Sequence, residues 1–168
     1  MSVSKDACRN IQFSGDALML RSMLVASMLA MAPVAARAEG AFSCGGADVT
    51  FSFNKRTEGE EHVEAVLTVS RDSRATVLRY DGNIDFIGGV CLRNGRNRPT
   101  VLFQAYCGGS GCRDLDNWGI IDPGDLRVQL VPNDWNRMAA QKILGQPLPA
   151  IDKMISIRDE ARKLGLDW

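Results

Sequence analysis

Apolar and polar residues alternate along most of the chain from Phe42 to Val131. A period of two places successive side chains on opposite faces of a strand, so the pattern commits this segment to half-buried β-structure. Val49, Phe51 and Phe53 share one face, with Thr50 and Ser52 on the other. Val63, Ala65, Leu67 and Val69 alternate with Glu64, Val66 and Thr68. Further strands are expected over Ala75–Tyr80, Ile84–Leu92, Thr100–Cys107, Trp118–Ile121 and Leu126–Val131. Thr100–Cys107 is apolar on both faces, as a central strand would be. Turn residues separate the runs at 57–61, Arg71–Arg74, Asn94-Gly95 and Asp122–Asp125. Asp81-Gly82-Asn83 predicts a hairpin, because glycine and asparagine tolerate the positive φ of tight primed turns. Gly88-Gly89 predicts a bulge or a close crossing. About seven strands at hairpin spacing predict a mainly β fold, an antiparallel β-sandwich or small barrel.

The period changes near the C-terminus. Asn133 or Asp134 is a suitable N-cap for a helix over Trp135–Leu144, which Gly145 closes. After the rigid Pro147-Leu148-Pro149, a second helix is expected over Ile151–Leu164. Met154, Ile157, Ala161 and Leu164 would lie on one side, with Gly165 as terminator. These two short helices are expected to pack on a sheet face or cover an edge. Trp118 and Trp135 read as core or helix–sheet packing, and Trp168 is given no role.

The N-terminal segment reads as an address. Arg21 precedes an apolar run, Met23–Ala32; Pro33 breaks it, and Ala36-Arg37-Ala38 offers small residues where a signal peptidase accepts them. Residues 1–38 are therefore expected to be a signal peptide. Met19 would be the more conventional start, since Asp6, Cys8 and Asp16 are unusual in the charged part of a leader. The apolar run is shorter than the roughly 20 residues of a bilayer span, and no later stretch reaches that length, so no membrane span is expected. Residues 39–168 then form a single secreted or periplasmic domain, β over 42–131 and helical over 133–165.

Residues 39–168 carry 16 of the 20 Lys and Arg and 18 of the 20 Asp and Glu. That balance disfavours a nucleic-acid partner, which calls for a basic surplus. Arg93, Arg96 and Arg98 cluster, but around Asn94-Gly95, where a solvated turn explains them. Cys44, Cys91, Cys107 and Cys112 remain in this segment. An even number in an oxidising compartment reads as two disulfides. Four cysteines allow three pairings; Cys107–Cys112 is favoured, because Gly108-Gly109-Ser110-Gly111 lets the chain fold back, and Cys44–Cys91 is left. By loop closure the short bridge contributes about 2 kcal/mol and the long one about 4.

The densest stretch is Tyr106–Trp118, which holds Cys107, Ser110, Cys112, Arg113, Asp114, Asp116 and Asn117 between two strands. Two readings stand side by side. One is a rigid tip that presents Ser110, Arg113, Asp114 and Asp116 to a partner, with Tyr106 and Trp118 anchoring or bracing it. The other is a stapled connection whose glycines serve only the turn. A redox pair is disfavoured, since four residues rather than two separate the cysteines.

Asp114, Asp116 and Asn117 begin like a calcium loop, but Trp118 occupies a ligand position and Asp125, not glutamate, the twelfth. The lone His62 cannot form a zinc site with oxidised cysteines, and beside an acidic turn it reads as solvated. No metal and no cofactor is expected. Neither a nucleophile elbow nor a phosphate loop is present. In general pattern the chain resembles small periplasmic inhibitors and immunity proteins, which present a rigid loop to an enzyme; the likeness rests on no motif. The leading expectation is an exported, non-enzymatic binding protein that engages a protein partner in the cell envelope through the Tyr106–Trp118 loop. The first alternative is an envelope module binding a glycan or peptide. The second is an exported hydrolase with paired carboxylates, Asp114 with Asp85 or Asp122.

Overall fold

A computed structural model describes residues 37–56, 62–82, 84–110 and 116–166. Within them the chain forms β1 (Arg37–Cys44), β2 (Ala47–Arg56), β3 (His62–Arg71), β4 (Arg74–Asp81), β5 (Phe86–Arg93), β6 (Pro99–Tyr106), β7 (Trp118–Asp122) and β8 (Arg127–Leu130), then α1 (Arg137–Leu144), β9 (Met154–Ser156) and α2 (Ile157–Lys163). The strands make two antiparallel sheets, one ordered β1-β2-β3-β4 and the other β8-β7-β6-β5-β9. They face each other as a sandwich, and no barrel closes among the described residues.

The alternation sets the core. Val49, Phe51 and Phe53 of β2 and Val63, Ala65, Leu67 and Val69 of β3 are buried against Ile87, Val101, Phe103, Ala105 and Ile121 of the second sheet. On the opposite face of β3, Val66 is only 5 % exposed and Glu64 4 %, the Glu64 carboxylate being held by Arg56 at 3.1 Å and Arg79 at 2.7 Å. A buried charge is tolerable when it is paired on both oxygens in this way. β6 is central and buried on both faces. Its outer side, with Leu102, packs with Trp118 and Ile120 under Ala140 and Leu144 of α1. On the other side of the sheet, Ile157 and Ala161 of α2 join the core between the sheets.

Three turns of the chain differ from the sequence reading. Asp81-Gly82 does not close a hairpin: Gly82 has φ 60°, but β4 and β5 lie in different sheets, so the chain crosses between layers there. Burial of Ile84 and the bond from Asp85 N to Tyr106 O draw it across. Residues 154–156 are a strand, not helix. The edge of β5 offers unpaired backbone groups, and β9 satisfies them with Ile87 opposite Ile155; helix resumes at Ile157, capped by Ser156 Oγ accepting from Asp159 N. Gly88 makes this possible, since a Cβ there would stand 2.6 Å from Lys153 O. The glycine pair is thus a close crossing rather than a bulge. Finally, α1 begins at Arg137 with Asn136 as N-cap, not at Asn133 or Asp134, and Trp135 is 73 % exposed rather than packed. With β1 and β9 added, the described residues hold nine strands against about seven expected.

Cys44 of β1 and Cys91 of β5 form the expected disulfide, with Cα atoms 5.2 Å apart. It ties one sheet to the other. Tyr80, on β4, turns its hydroxyl into the core, where it is buried and has no hydrogen-bond partner among the described residues; burial pushes its phenol pKa up. No helix among the described residues is long and apolar enough to cross a membrane.

Candidate functional site

The connection between β6 and β7 is where the sequence concentrates its special residues, and its two stems are fixed by different devices. On the β6 side, Asp85 Oδ2 accepts from Gly108 N at 2.7 Å, and Gly108 lies so close to the Phe86 ring that a Cβ would stand 2.6 Å from it. The Phe86 and Tyr106 rings lie 5.5 Å apart. Cys107 is disulfide-bonded; Cys112, like Arg113 and Asp114, lies outside the described residues. Ser110 is exposed and Asp116 half-buried.

On the β7 side the fixing is done by residues the sequence reading did not single out. Trp118 is 5 % exposed, and Asn136, 4 % exposed, bonds its backbone twice: Oδ1 accepts from Trp118 N at 2.9 Å and Nδ2 donates to Trp118 O at 2.6 Å. Nδ2 also donates to Val131 O at 2.6 Å. Beside it, Asn117 Nδ2 donates to Asp134 Oδ1 at 2.7 Å. The segment before α1 is therefore docked on the loop's second stem. The residues that follow Asp134 present Trp135 and Met138, 73 % and 79 % exposed, next to that stem. Only the tryptophan's position next to Asn136 signals this in the sequence; its exposure does not follow from composition.

Tyr106 and Trp118 come together. With Gln104, Arg137, Ile151 and Met154 they line a cleft of about 340 Å³ on the outer side of the second sheet. Its walls offer aromatic edges, an amide and a guanidinium, a combination suited to hydroxyl- or amide-bearing ligands.

Of the carboxylates in the hydrolase alternative, Asp114 lies outside the described residues, so neither of its pairings is seen; Asp85 and Asp122 each have structural partners. Asp85 holds the Gly108 amide, as above. Asp122, 8 % exposed, accepts from Gly124 N at 2.9 Å and from Arg98 Nη2 at 3.0 Å. The two stand at opposite ends of β6, because Asp85 bonds at Tyr106 and Asp122 follows Ile121, the partner of Val101. His62 is partly exposed, with Nε2 3.7 Å from Asp81. Among the described residues no three His, Cys, Asp or Glu side chains gather as metal ligands. In comparisons with known proteins, no family model, no curated protein and no solved structure matches the chain.

Proposed function

We propose that residues 39–168 are an exported, non-enzymatic binding protein that engages a protein partner in the cell envelope through the β6–β7 loop. In this reading Arg113, Asp114 and Asp116 steer and make polar contacts, while Tyr106 and Trp118 brace the loop. The observation that carries it is the joint placement of a loop pinned at both stems and a tryptophan and methionine left exposed beside it. Pinned stems lower the entropy lost when a loop is ordered by a partner. Exposed tryptophan and methionine are the residue types enriched at interface centres. The inter-sheet disulfide and the leader-like N-terminus support an oxidising, exported setting.

The test is affinity capture from envelope extract with three proteins: wild type, a variant carrying Arg113→Ala, Asp114→Ala and Asp116→Ala, and Trp135→Ala/Met138→Ala. A partner captured by the first and lost from both variants, each with an unchanged circular dichroism spectrum, is the expected result. Identical capture by all three, or capture by none, would sink the reading.

The cleft beneath the loop favours a second reading, an envelope module for a glycan or peptide. Trp118 would report such a ligand directly. Short oligosaccharides or peptides that quench its fluorescence, with the effect abolished by Arg137→Ala, would move this reading ahead of the first.

A further inference from the structure

We infer that a groove at the opposite end of the second sheet is a binding site for a small phosphate-bearing organic anion. The groove, about 740 Å³, lies between the β5–β6 turn, β8 and α1, and its charged lining is Arg96, Arg98, Arg127, Lys142 and Asp122. Four cations from three separate elements thus face one carboxylate. That carboxylate is already engaged: Asp122 takes bonds from Gly124 N, Arg98 and, at 3.5 Å, Gln129. It offsets Arg98 and nothing more. Among the described residues Arg127 pairs only with Asp125, at 3.8 Å, and both are exposed, so that pair is weak. Arg96 and Lys142 make no ion pair among the described residues. The groove therefore holds a local positive surplus in a segment, 39–168, that has more acids than bases.

A solvated turn does not account for this arrangement. The turn is rigid: Asn94 N donates to Arg98 O at 2.9 Å, and Asn94 Oδ1 accepts from the backbone N–H groups of Arg96 and Arg98, both at 3.0 Å. Gly95 N then donates to Leu144 O at 2.7 Å, docking the turn on the end of α1. A Cβ on Gly95 would stand 2.7 Å from Gly145 O, so only glycine allows so close an approach. The contact places Arg96 in the same groove as Lys142, where a bound anion would offset both charges. Lys142 also sits in the last turn of α1, where a cation offsets the helix's negative end; that explains one cation of the four. Arginine forks match phosphate oxygens in bidentate geometry. The apolar part of the lining, Val128, Ala139 and the exposed Ile143, gives an organic body an apolar floor.

This site is independent of the β6–β7 loop, from which the length of β6 separates it by roughly 23 Å. A soluble phosphate ester and a phospholipid headgroup both present anionic non-bridging phosphate oxygens, and the probes distinguish the two sources. The test uses purified protein, titrated calorimetrically with inorganic pyrophosphate and glycerol 3-phosphate, and sedimented with vesicles containing or lacking phosphatidylglycerol. Two variants of equal charge are compared, Arg96→Ser/Lys142→Ser in the groove and Arg74→Ser/Arg158→Ser on exposed positions elsewhere. The expected result is binding of at least one probe that the groove variant weakens at least about tenfold and the control leaves unchanged. Binding of the soluble probes assigns a free ester; binding of the anionic vesicles alone assigns a headgroup. No binding of any probe, or equal loss in both variants, overturns the site.

Discussion

The side-chain amide of Asn136 takes the place of a missing strand residue beside Trp118. Ile120 pairs with Leu130, so the same register would set Pro132 opposite Trp118, and proline has no N–H to donate. Asn136 supplies both halves of that lost bond, accepting from Trp118 N at 2.9 Å and donating to Trp118 O at 2.6 Å. It is N-cap by position, yet its side chain makes no cap bond, because the amide is spent on the sheet.

Replacing Asn136 by alanine leaves the Trp118 N–H and C=O buried without partners, at about 1–3 kcal/mol for each group left unmet, and frees the carbonyl of the exposed Val131 to bond with water. A loss of about 3 kcal/mol in urea denaturation is expected, with Asn136→Asp no better at neutral pH, since a carboxylate cannot donate to two carbonyls. A loss under about 1 kcal/mol for the alanine variant would show that water replaces the amide.

Gly119 stands opposite Phe103 in the β6–β7 ladder, and a Cβ on it would lie 2.1 Å from the Phe103 ring. Phe103 is fully buried and has nowhere to move. Gly119→Ala should therefore cost about 3 kcal/mol or more. Adding Phe103→Leu should recover part of that loss, so that the double variant is more stable than the sum of the two single changes predicts. Strict additivity in a double-mutant cycle would argue against the clash.

The Tyr80 hydroxyl is buried without a partner among the described residues, and burial raises its pKa above the ordinary value of 10.0. Tyr80→Phe should be neutral or stabilising by about 1 kcal/mol at pH 7. The sign at alkaline pH follows from linkage. Above pH about 10 the unfolded chain releases the phenol proton while the folded chain keeps it, so stability falls as pH rises. Melting curves taken across that range should fall more steeply for wild type than for Tyr80→Phe; parallel curves would contradict the assignment.

Cys44→Ala/Cys91→Ala removes the inter-sheet link, whose cysteines are 47 residues apart. The expected loss is about 4 kcal/mol, read from urea denaturation, with a steeper slope because the unfolded chain is no longer held in a loop.

Local periodicity made the sheets legible. Phe51 and Leu67 could be placed inside from their alternation, and the doubly apolar Val101–Ala105 run could be placed at a sheet centre. What escaped depended on distant neighbours. Met154, Ile157 and Ala161 fit a helical stripe, but the open edge of β5 claimed residues 154–156 first. Asp81-Gly82 has the chemistry of a hairpin turn, and only the burial of Ile84 in the core reveals that the chain changes sheets. At the candidate site, the clustering of Tyr106 through Trp118 was visible in the sequence, whereas Asn136 and the exposed Trp135 were not. Arg96, Arg127 and Lys142 lie in separate stretches of sequence, so their convergence could not be read from spacing.

The Cys44–Cys91 bond also closes the backbone on itself. Every residue of β2, β3 and β4 lies inside one covalent ring. A protease that cuts the chain once anywhere in that ring opens it without releasing either piece. Such a nicked molecule would run at full mass on a denaturing gel until reductant is added, then separate into two fragments. Strand pairing on both sides of the break would still be templated by a tether, so damage to this sheet leaves the parts in place to re-form it.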